Sequence, residues 1–387
     1  SEVARGAFQR AGIILIENSN ELFPAAETLA SLPPIKNNSV AILADGGGHA
    51  TIAADILSDL GVNIPEFTEK TRHKLKQILP FAASVPNPVD VAGCTDAYPS
   101  LFADCARIIL KDPNIGGLLL VGLFGGYGIR FAESLALMEE DAAHQMGKMV
   151  KKGKKPIVVH SLYSSEKPHA LELLRYYHIP VYDSLDVACK CMGVLTEYGN
   201  YLKMYHTKAN FVMNWGAKAK PEGKAILKKA KADHRCALLE NEANALLGLH
   251  GAPVSNDLLA TTPDEAVRLA GKMHDEVVLK IVSPDILHKS DAGGVVTNLK
   301  TEKQIRDAFA TIINNARNFS PEADIRGVLV SPMARKGVEI IIGTKTDDQF
   351  GPVILYGLGG IMVEILKDVA FRVLPLTRSS AQKMMQE

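Results

Sequence analysis

The sequence predicts an α/β protein in which a doubly wound parallel sheet is followed by a smaller mixed α+β lobe. Three observations carry this prediction. Apolar runs of strand length alternate with helical periods from residue 40 to about 198. The run Leu118-Leu119-Leu120-Val121 is apolar without alternation, as a parallel strand covered on both faces must be. After residue 205 the rhythm stops, and strands follow one another with only one or two helices between them.

The elements follow in order. Val40 to Ala44 reads as a strand and His49 to Leu60 as a helix; Gly117 to Phe124 precedes a helical period from Phe131 to Val150. Pro156 to Leu162 pairs with His169 to Tyr177, and Pro180 to Tyr182 with Leu185 to Tyr198. In such a sheet ligands gather at the carboxyl ends of the strands. Residues 206 to 230 hold Trp215-Gly216 and then Lys218, Lys220, Lys224, Lys228 and Lys229, the composition of a solvated basic linker. A second unit opens near Ala237 with an amphipathic helix to Leu249, and Gly251-Ala252-Pro253 stops it. Thr262-Pro263-Asp264-Glu265 has the cap, first-turn proline and acids of a helix start. Strands are expected at Val277 to Val282, Gly327 to Ser331, Val338 to Thr344 and Pro352 to Tyr356, with a helix from Glu302 to Asn318.

Composition narrows the function. Forty-three basic residues balance 43 acidic ones and 47% of residues are hydrophobic, so no overall charge recruits nucleic acid or an anionic membrane. The longest apolar runs, such as Gly116 to Phe124, fall well short of the roughly 20 residues of a membrane span. Five cysteines, Cys94, Cys105, Cys189, Cys191 and Cys236, are odd in number and match no usual zinc spacing, which points to buried thiols in a reducing cytoplasm. The chain opens without methionine in the helix-like Ser1 to Gly6, and is read as an internal piece of a longer one.

Four constellations could carry chemistry. Asp45-Gly46-Gly47-Gly48-His49-Ala50 joins a strand to a helix; there glycines let backbone N–H groups turn toward a phosphate, although such a turn also serves tight packing alone. Phe124-Gly125-Gly126-Tyr127-Gly128 closes the most hydrophobic strand in the same way, and Asn87 to Gly93 makes a third rigid turn. Lys280 on a strand, followed by Ser283-Pro284-Asp285-Ile286-Leu287-His288-Lys289 and then Gly293-Gly294, offers an ammonium for nucleotide phosphates and an imidazole able to accept a phosphoryl group. The plainer alternatives are a snorkelling edge lysine and an exposed loop histidine. Glu339, among aliphatics, needs a partner, either ribose hydroxyls, a cation, or Arg335 or Arg372; Gly357 to Glu364 follows it.

Together these segments, above all Val278 to Gly294 and Gln349 to Pro375, resemble the ADP-forming acetyl-CoA or acyl-CoA synthetases, relatives of succinyl-CoA synthetase. The resemblance implies a tail of a preceding CoA-ligase domain over 1–35 and a flavodoxin-like CoA-ligase domain over 36–205. The linker over 206–230 and the first part of an ATP-grasp domain over 231–387 follow. It implies phosphate binding by Gly46, Gly47, Gly48, His49, Gly125 and Gly126, and nucleotide binding by Lys280, Gly293, Gly294, Glu339 and Glu364. His288 becomes a shuttling phosphoryl carrier. The implied reaction interconverts acyl-CoA, ADP and phosphate with a carboxylic acid, CoA and ATP, with Mg2+ as cofactor, in a homo- or hetero-oligomer with the CoA-binding domains. The family's Ser-His-Thr-Gly phosphohistidine segment and its magnesium-holding Asp-x-Asn-Pro segment have no counterpart here, and no metal ligand is assigned. Two rival readings are a nucleotide- or acyl-CoA-sensing module of a protein acetyltransferase, and another ATP-grasp carboxylate ligase working without phosphohistidine.

Overall fold

The computed structural model describes residues 1–206, 220–273, 275–360 and 369–386. Its contacts divide the chain into one unit of Ser1–Val212 with Ile340–Glu387 and another of Met213–Glu339.

In the first unit, helices α1 (Glu2–Ala11) and α2 (Ser19–Ser31) precede strand β1 (Val40–Ala44). Then come α3 (Gly47–Asp59), α4 (Glu69–Ile78), β2 (Val89–Asp90), α5 (Leu101–Ile109), β3 (Gly117–Gly122), α6 (Tyr127–Arg130), α7 (Leu135–Lys152), β4 (Ile157–Ser161), α8 (His169–Tyr176), β5 (Val181–Tyr182) and α9 (Leu185–His206). The five strands pair in parallel in the order β2-β1-β3-β4-β5, the doubly wound sheet the apolar runs predict. Because a strand's side chains alternate, Ala41, Leu43, Leu118, Leu120 and Val159 pack with α5, α7 and α8. Val40, Ile42, Leu119, Val121 and Val158 pack with α3 and α9 on the other face. The order reverses between β1 and β3, so their carboxyl ends border the crevice where such sheets bind ligands.

Two sequence expectations shift here. The helix expected from Phe131 begins only at Leu135, as α7, and the Tyr127–Arg130 stretch read as part of the glycine loop forms a single helical turn, α6. The Asn87 turn serves the sheet: its side-chain oxygen accepts from Ile42 N (3.0 Å) and its amide nitrogen donates to Val40 O (3.0 Å), continuing the β1 edge before β2 begins. Cys105, Cys189 and Cys191 are buried as expected, and burial pushes the Cys105 and Cys189 thiols up to about 12. Cys94 is only half-buried, and Cys236 is exposed.

Residues 340–386 add an antiparallel sheet to this unit, β10 (Ile340–Asp347), β11 (Gly351–Leu358) and β12 (Val369–Val373) in that order, and the helix α14 (Arg378–Met384). Here α1 lies against β12, with Arg10 Nη1 donating to Val373 O (2.6 Å).

The second unit contains α10 (Pro221–Ala232), α11 (Glu240–Leu249), β6 (Leu258–Ala260), α12 (Pro263–Ala270), β7 (Val277–Val282), β8 (Val295–Leu299), α13 (Glu302–Phe319) and β9 (Gly327–Pro332). Its four strands pair antiparallel in the order β6-β9-β7-β8, and α12 and α13 cover them with Ala266, Leu269, Ile305, Phe309 and Ile312. The expected start of α12 forms as read: Thr262 accepts from Glu265 N and Pro263 opens the first turn, a cap that contributes about 1 kcal/mol. Of the basic stretch 206–230, residues 207–219 lie outside the described residues. From Pro221 onward the stretch is the helix α10, with Pro221 at its start and Gly223 against Leu246.

Candidate functional site

At the β1–β3 crevice, Asp45 is spoken for. Its carboxylate accepts from Leu123 N (2.5 Å) and from Tyr127 Oη (3.1 Å), which lies 2.8 Å from Thr95 Oγ1. Asp45 therefore forms the floor of the crevice, and burial raises its carboxyl above the ordinary range despite those hydrogen bonds. Above it α3 begins at Gly47, capped by Gly46 in extended backbone, with no acid in its first turn. A Cβ on Gly46 or Gly48 would meet nothing within 4 Å, and neither glycine has a positive φ. Neither packing nor backbone strain demands glycine there, while the open space over the first amides of α3 is what an anion needs to reach them. Gly47 is nearly as open, its only close neighbour being Asp90 Oδ2 at 3.2 Å from a built Cβ. His49 lies half-buried in the same turn, its ring 5.8 Å from that of His160 at the end of β4. His160 is 2% exposed and its Nδ1 has no hydrogen-bond partner among the described residues. Burial, and then the neighbouring His49, lower its pKa to about 4, so His160 stays neutral at physiological pH.

The second glycine loop is built differently. Gly125 takes φ +92°, and a Cβ there would stand 2.5 Å from Leu171 Cγ; one on Gly126 would stand 2.1 Å from Tyr163. Both are required by packing. The loop's amides are also occupied: Glu139, 1% exposed on α7, accepts from Gly125 N (2.5 Å), Tyr127 N (3.2 Å) and Gly128 N (3.0 Å), and Gly126 N donates to Leu123 O (2.8 Å). Against the expectation that this loop cradles phosphate, its backbone donors already hold an internal carboxylate. Burial raises the Glu139 carboxyl above its usual range, and the three amides pull it back.

In the second unit, Lys280 is the half-buried position of β7, whose other residues are buried. Its Nζ donates to Glu240 Oε1 (2.6 Å), while Lys289 Nζ pairs with Glu240 Oε2. Burial pushes the Glu240 carboxyl up, but the two lysines outweigh it and hold the group below the usual carboxylate range. His288 stands exposed at the tip of the turn after β7, beside exposed Leu287 and between buried Ile286 and Ala292. The turn is fastened on both sides. Asp285 Oδ2 accepts from Asp324 N (2.7 Å), and Gly294 N donates to Lys289 O (2.7 Å). Gly293, at φ +59°, offers its carbonyl to Asn315 Nδ2 (3.0 Å). A Cβ on Gly294 would meet Ile281 Cγ2 at 2.5 Å. These two glycines shape the turn, with the Gly294 amide already used inside it.

Glu339 is exposed and immediately precedes β10 instead of lying inside a strand. Glu364 lies outside the described residues. Lys280, His288, Gly293 and Gly294 thus share one locality, and Gly46, Gly47, Gly48 and His49 another. Sequence reasoning missed Glu139, His160 and Glu240. Glu139 was detectable in principle, because it falls on the buried stripe of α7 with Leu135, Ala142, Ala143 and Met146. Among the described residues no group of three or more His, Cys, Asp or Glu could hold a metal ion, and no described helix is long and apolar enough to cross a membrane.

Comparison with known proteins bears on both localities. A Ligase-CoA domain model matches residues 40–198, and an ATP-grasp domain model matches residues 229–387. The 4-hydroxybutyrate–CoA ligase [ADP-forming] of Nitrosopumilus maritimus is 33% identical over 384 residues, which are 99% of this chain and 53% of the relative. The chain spans about half the length of the curated relatives that it matches from end to end. The beta subunit of the Pyrococcus furiosus acetate–CoA ligase [ADP-forming] I is 49% identical over 166 residues, 43% of this chain and 71% of that subunit. The alpha subunit of the same organism's enzyme II is 28% identical over 201 residues, 51% of this chain and 42% of that subunit. A Ligase-CoA domain and an ATP-grasp domain in one chain, with such identity to a beta subunit of which the chain covers more than two thirds, place it in the family of ADP-forming acetate–CoA and acyl–CoA ligases.

Proposed function

We propose that this protein works in the interconversion of acyl-CoA, ADP and phosphate with a carboxylic acid, CoA and ATP, and that its part is to pass a phosphoryl group to the nucleotide. The observation that carries the reading is the exposed His288, presented by the turn that leaves β7, in the same locality as the strand lysine Lys280. An imidazole nitrogen forms a P–N bond as the phosphoryl group leaves its donor. An oxygen of the ADP terminal phosphate then attacks that phosphorus, the P–N bond breaks, and the imidazole is released. Lys280 supplies positive charge to the nucleotide phosphates. At the β1–β3 crevice, the open amides of Gly46, Gly47 and Gly48 at the mouth of α3, with His49 beside them, suit a phosphorylated partner group.

Glu339 and Glu364 remain candidates for the nucleotide site, and CoA and a short carboxylic acid or its thioester are the remaining substrates. Magnesium is the family's expected cation, and among the described residues no group of three or more His, Cys, Asp or Glu could hold it. Assembly with CoA-binding domains, in a homo- or hetero-oligomer, and a place in the cytoplasm complete the reading. Relatives named as ADP-forming CoA ligases that match this chain from end to end favour this ligase over a sensing module or a ligase that needs no phosphohistidine.

The test is to incubate the chain with γ-labelled ATP and to follow protein-bound phosphate. The expected label is acid-labile and alkali-stable, is discharged by ADP, and is absent from His288→Ala. Labelling that persists in His288→Ala, or an acid-stable label, would refute the role of His288.

A further inference from the structure

Two ammonium groups within reach of one carboxylate form an arrangement that the reaction outlined above does not require. Glu240 is the first residue of α11, and that end of the helix is fixed. Glu242, two residues on, is gripped by Arg235 through both carboxylate oxygens (2.7 and 2.9 Å) and accepts from Leu239 N (3.0 Å). Glu240 is therefore presented from a rigid base. It reaches Lys280 on β7 and Lys289 in the following turn, two side chains that would repel each other without it. Lys289 is covalently next to His288, and its own carbonyl accepts from Gly294 N, the bond that closes the turn. The carboxylate thus ties the histidine-bearing turn to the lysine strand.

The charge balance at this spot is one negative against two positive, with the side chains of Lys280, Lys289 and Glu240 each about a quarter exposed. A phosphate carries more charge and more acceptor oxygens than a carboxylate, and is better matched to two ammonium groups. We propose that Glu240 is a positioning residue that latches Lys280 and Lys289 together and seats the His288 turn, and that a nucleotide phosphate competes with it for the lysines and so frees the turn to move. The competition rests on the reading of Lys280 as a phosphate contact; the latch itself does not.

Two measurements on the 387-residue chain separate these parts. Glu240→Gln keeps the shape and removes the charge. Hydrogen exchange at the turn amides Ala292, Gly293 and Gly294, which donate to His288 O, Ser290 O and Lys289 O, should quicken by about three- to ten-fold as the turn opens locally. Calorimetric titration with ADP should show binding tightened by about two- to five-fold, the range that one or two partly exposed ion pairs contribute. Lys289→Met should quicken the same amides without tightening ADP, since it removes a phosphate partner together with the latch, and it carries the exchange test if Glu240→Gln does not fold. Unchanged exchange in both variants overturns the latch whatever ADP does. In Glu240→Gln, quickened exchange with ADP binding unchanged or weakened overturns the competition. Absence of ADP binding in the unsubstituted chain defeats the phosphate reading of Lys280 and leaves the exchange result to decide the latch alone.

Discussion

Acidification should unseat the crevice of the first unit through one group, His160. Burial foremost, and His49 next, lower its pKa from an ordinary 6.5 to about 4. A histidine whose folded value is depressed contributes stability that is fully present above its unfolded value and is lost as pH falls toward the folded one. The window is therefore pH 6.5 down to about 4. A difference of two to three pH units at roughly 1.4 kcal/mol each gives a loss of about 3 kcal/mol by pH 4. The side chain is 2% exposed, so solvent screening takes little from this figure. The assay is urea unfolding of the wild type and of His160→Gln at half-unit steps from pH 7.5 to 4, followed by a near-ultraviolet signal. Other groups titrate in this range, and the difference between the two proteins isolates His160. The gap in unfolding free energy should change by about 3 kcal/mol across the window, the wild type losing more on acidification. A constant gap would refute the claim that the buried imidazole is held neutral. Replacing His49 should raise the His160 titration only partway, because burial is the larger cause.

Three further outcomes follow from particular contacts. Glu139→Ala leaves three amides of the Gly125 loop, two of them buried, without an acceptor and should cost about 3–5 kcal/mol, read as a melting point lower by roughly 10 °C. Gly48→Ala should hold or raise stability by up to about 1 kcal/mol, since its Cβ meets nothing and its position is helical. The same change should weaken phosphate binding at α3 in a titration with inorganic phosphate, and a loss of stability would return that glycine to packing. Lys280→Ala should weaken ADP binding by about 10- to 100-fold, the range of a charge-assisted hydrogen bond to phosphate, with the circular dichroism of the unit unchanged; unaltered binding would remove Lys280 from the nucleotide site.

Much of the architecture was readable because burial on both faces leaves a continuous apolar run: β1 and β3 are such runs, and β4 is apolar from Ile157 to Val159. β2 escaped because two residues make no pattern, and half of that edge is an asparagine side chain standing in for backbone. Lysine content hid α10, although Pro221 and Glu222 form an ordinary helix start. The glycine loops show the deeper limit. A sequence reveals that backbone is being brought close, and it does not reveal which way the amides face. At Gly46 and Gly48 a side chain would meet only open space, and at Gly125 the amide closes on a glutamate 14 residues later. Lys280 was legible as an anomalous charge within an apolar strand. Its partner Glu240 was not, because the two are 40 residues apart and meet only when α11 is set against β7.

If His288 carries the phosphoryl group to the nucleotide, rapid-quench measurement of protein-bound phosphate and ATP together will show it. With acetyl-CoA, labelled phosphate and ADP supplied to the chain combined with the CoA-binding domains proposed for it, His288→Ala should accumulate phosphate on the histidine of those domains and form no ATP. ATP appearing in His288→Ala at a rate within a few-fold of the wild type would contradict it.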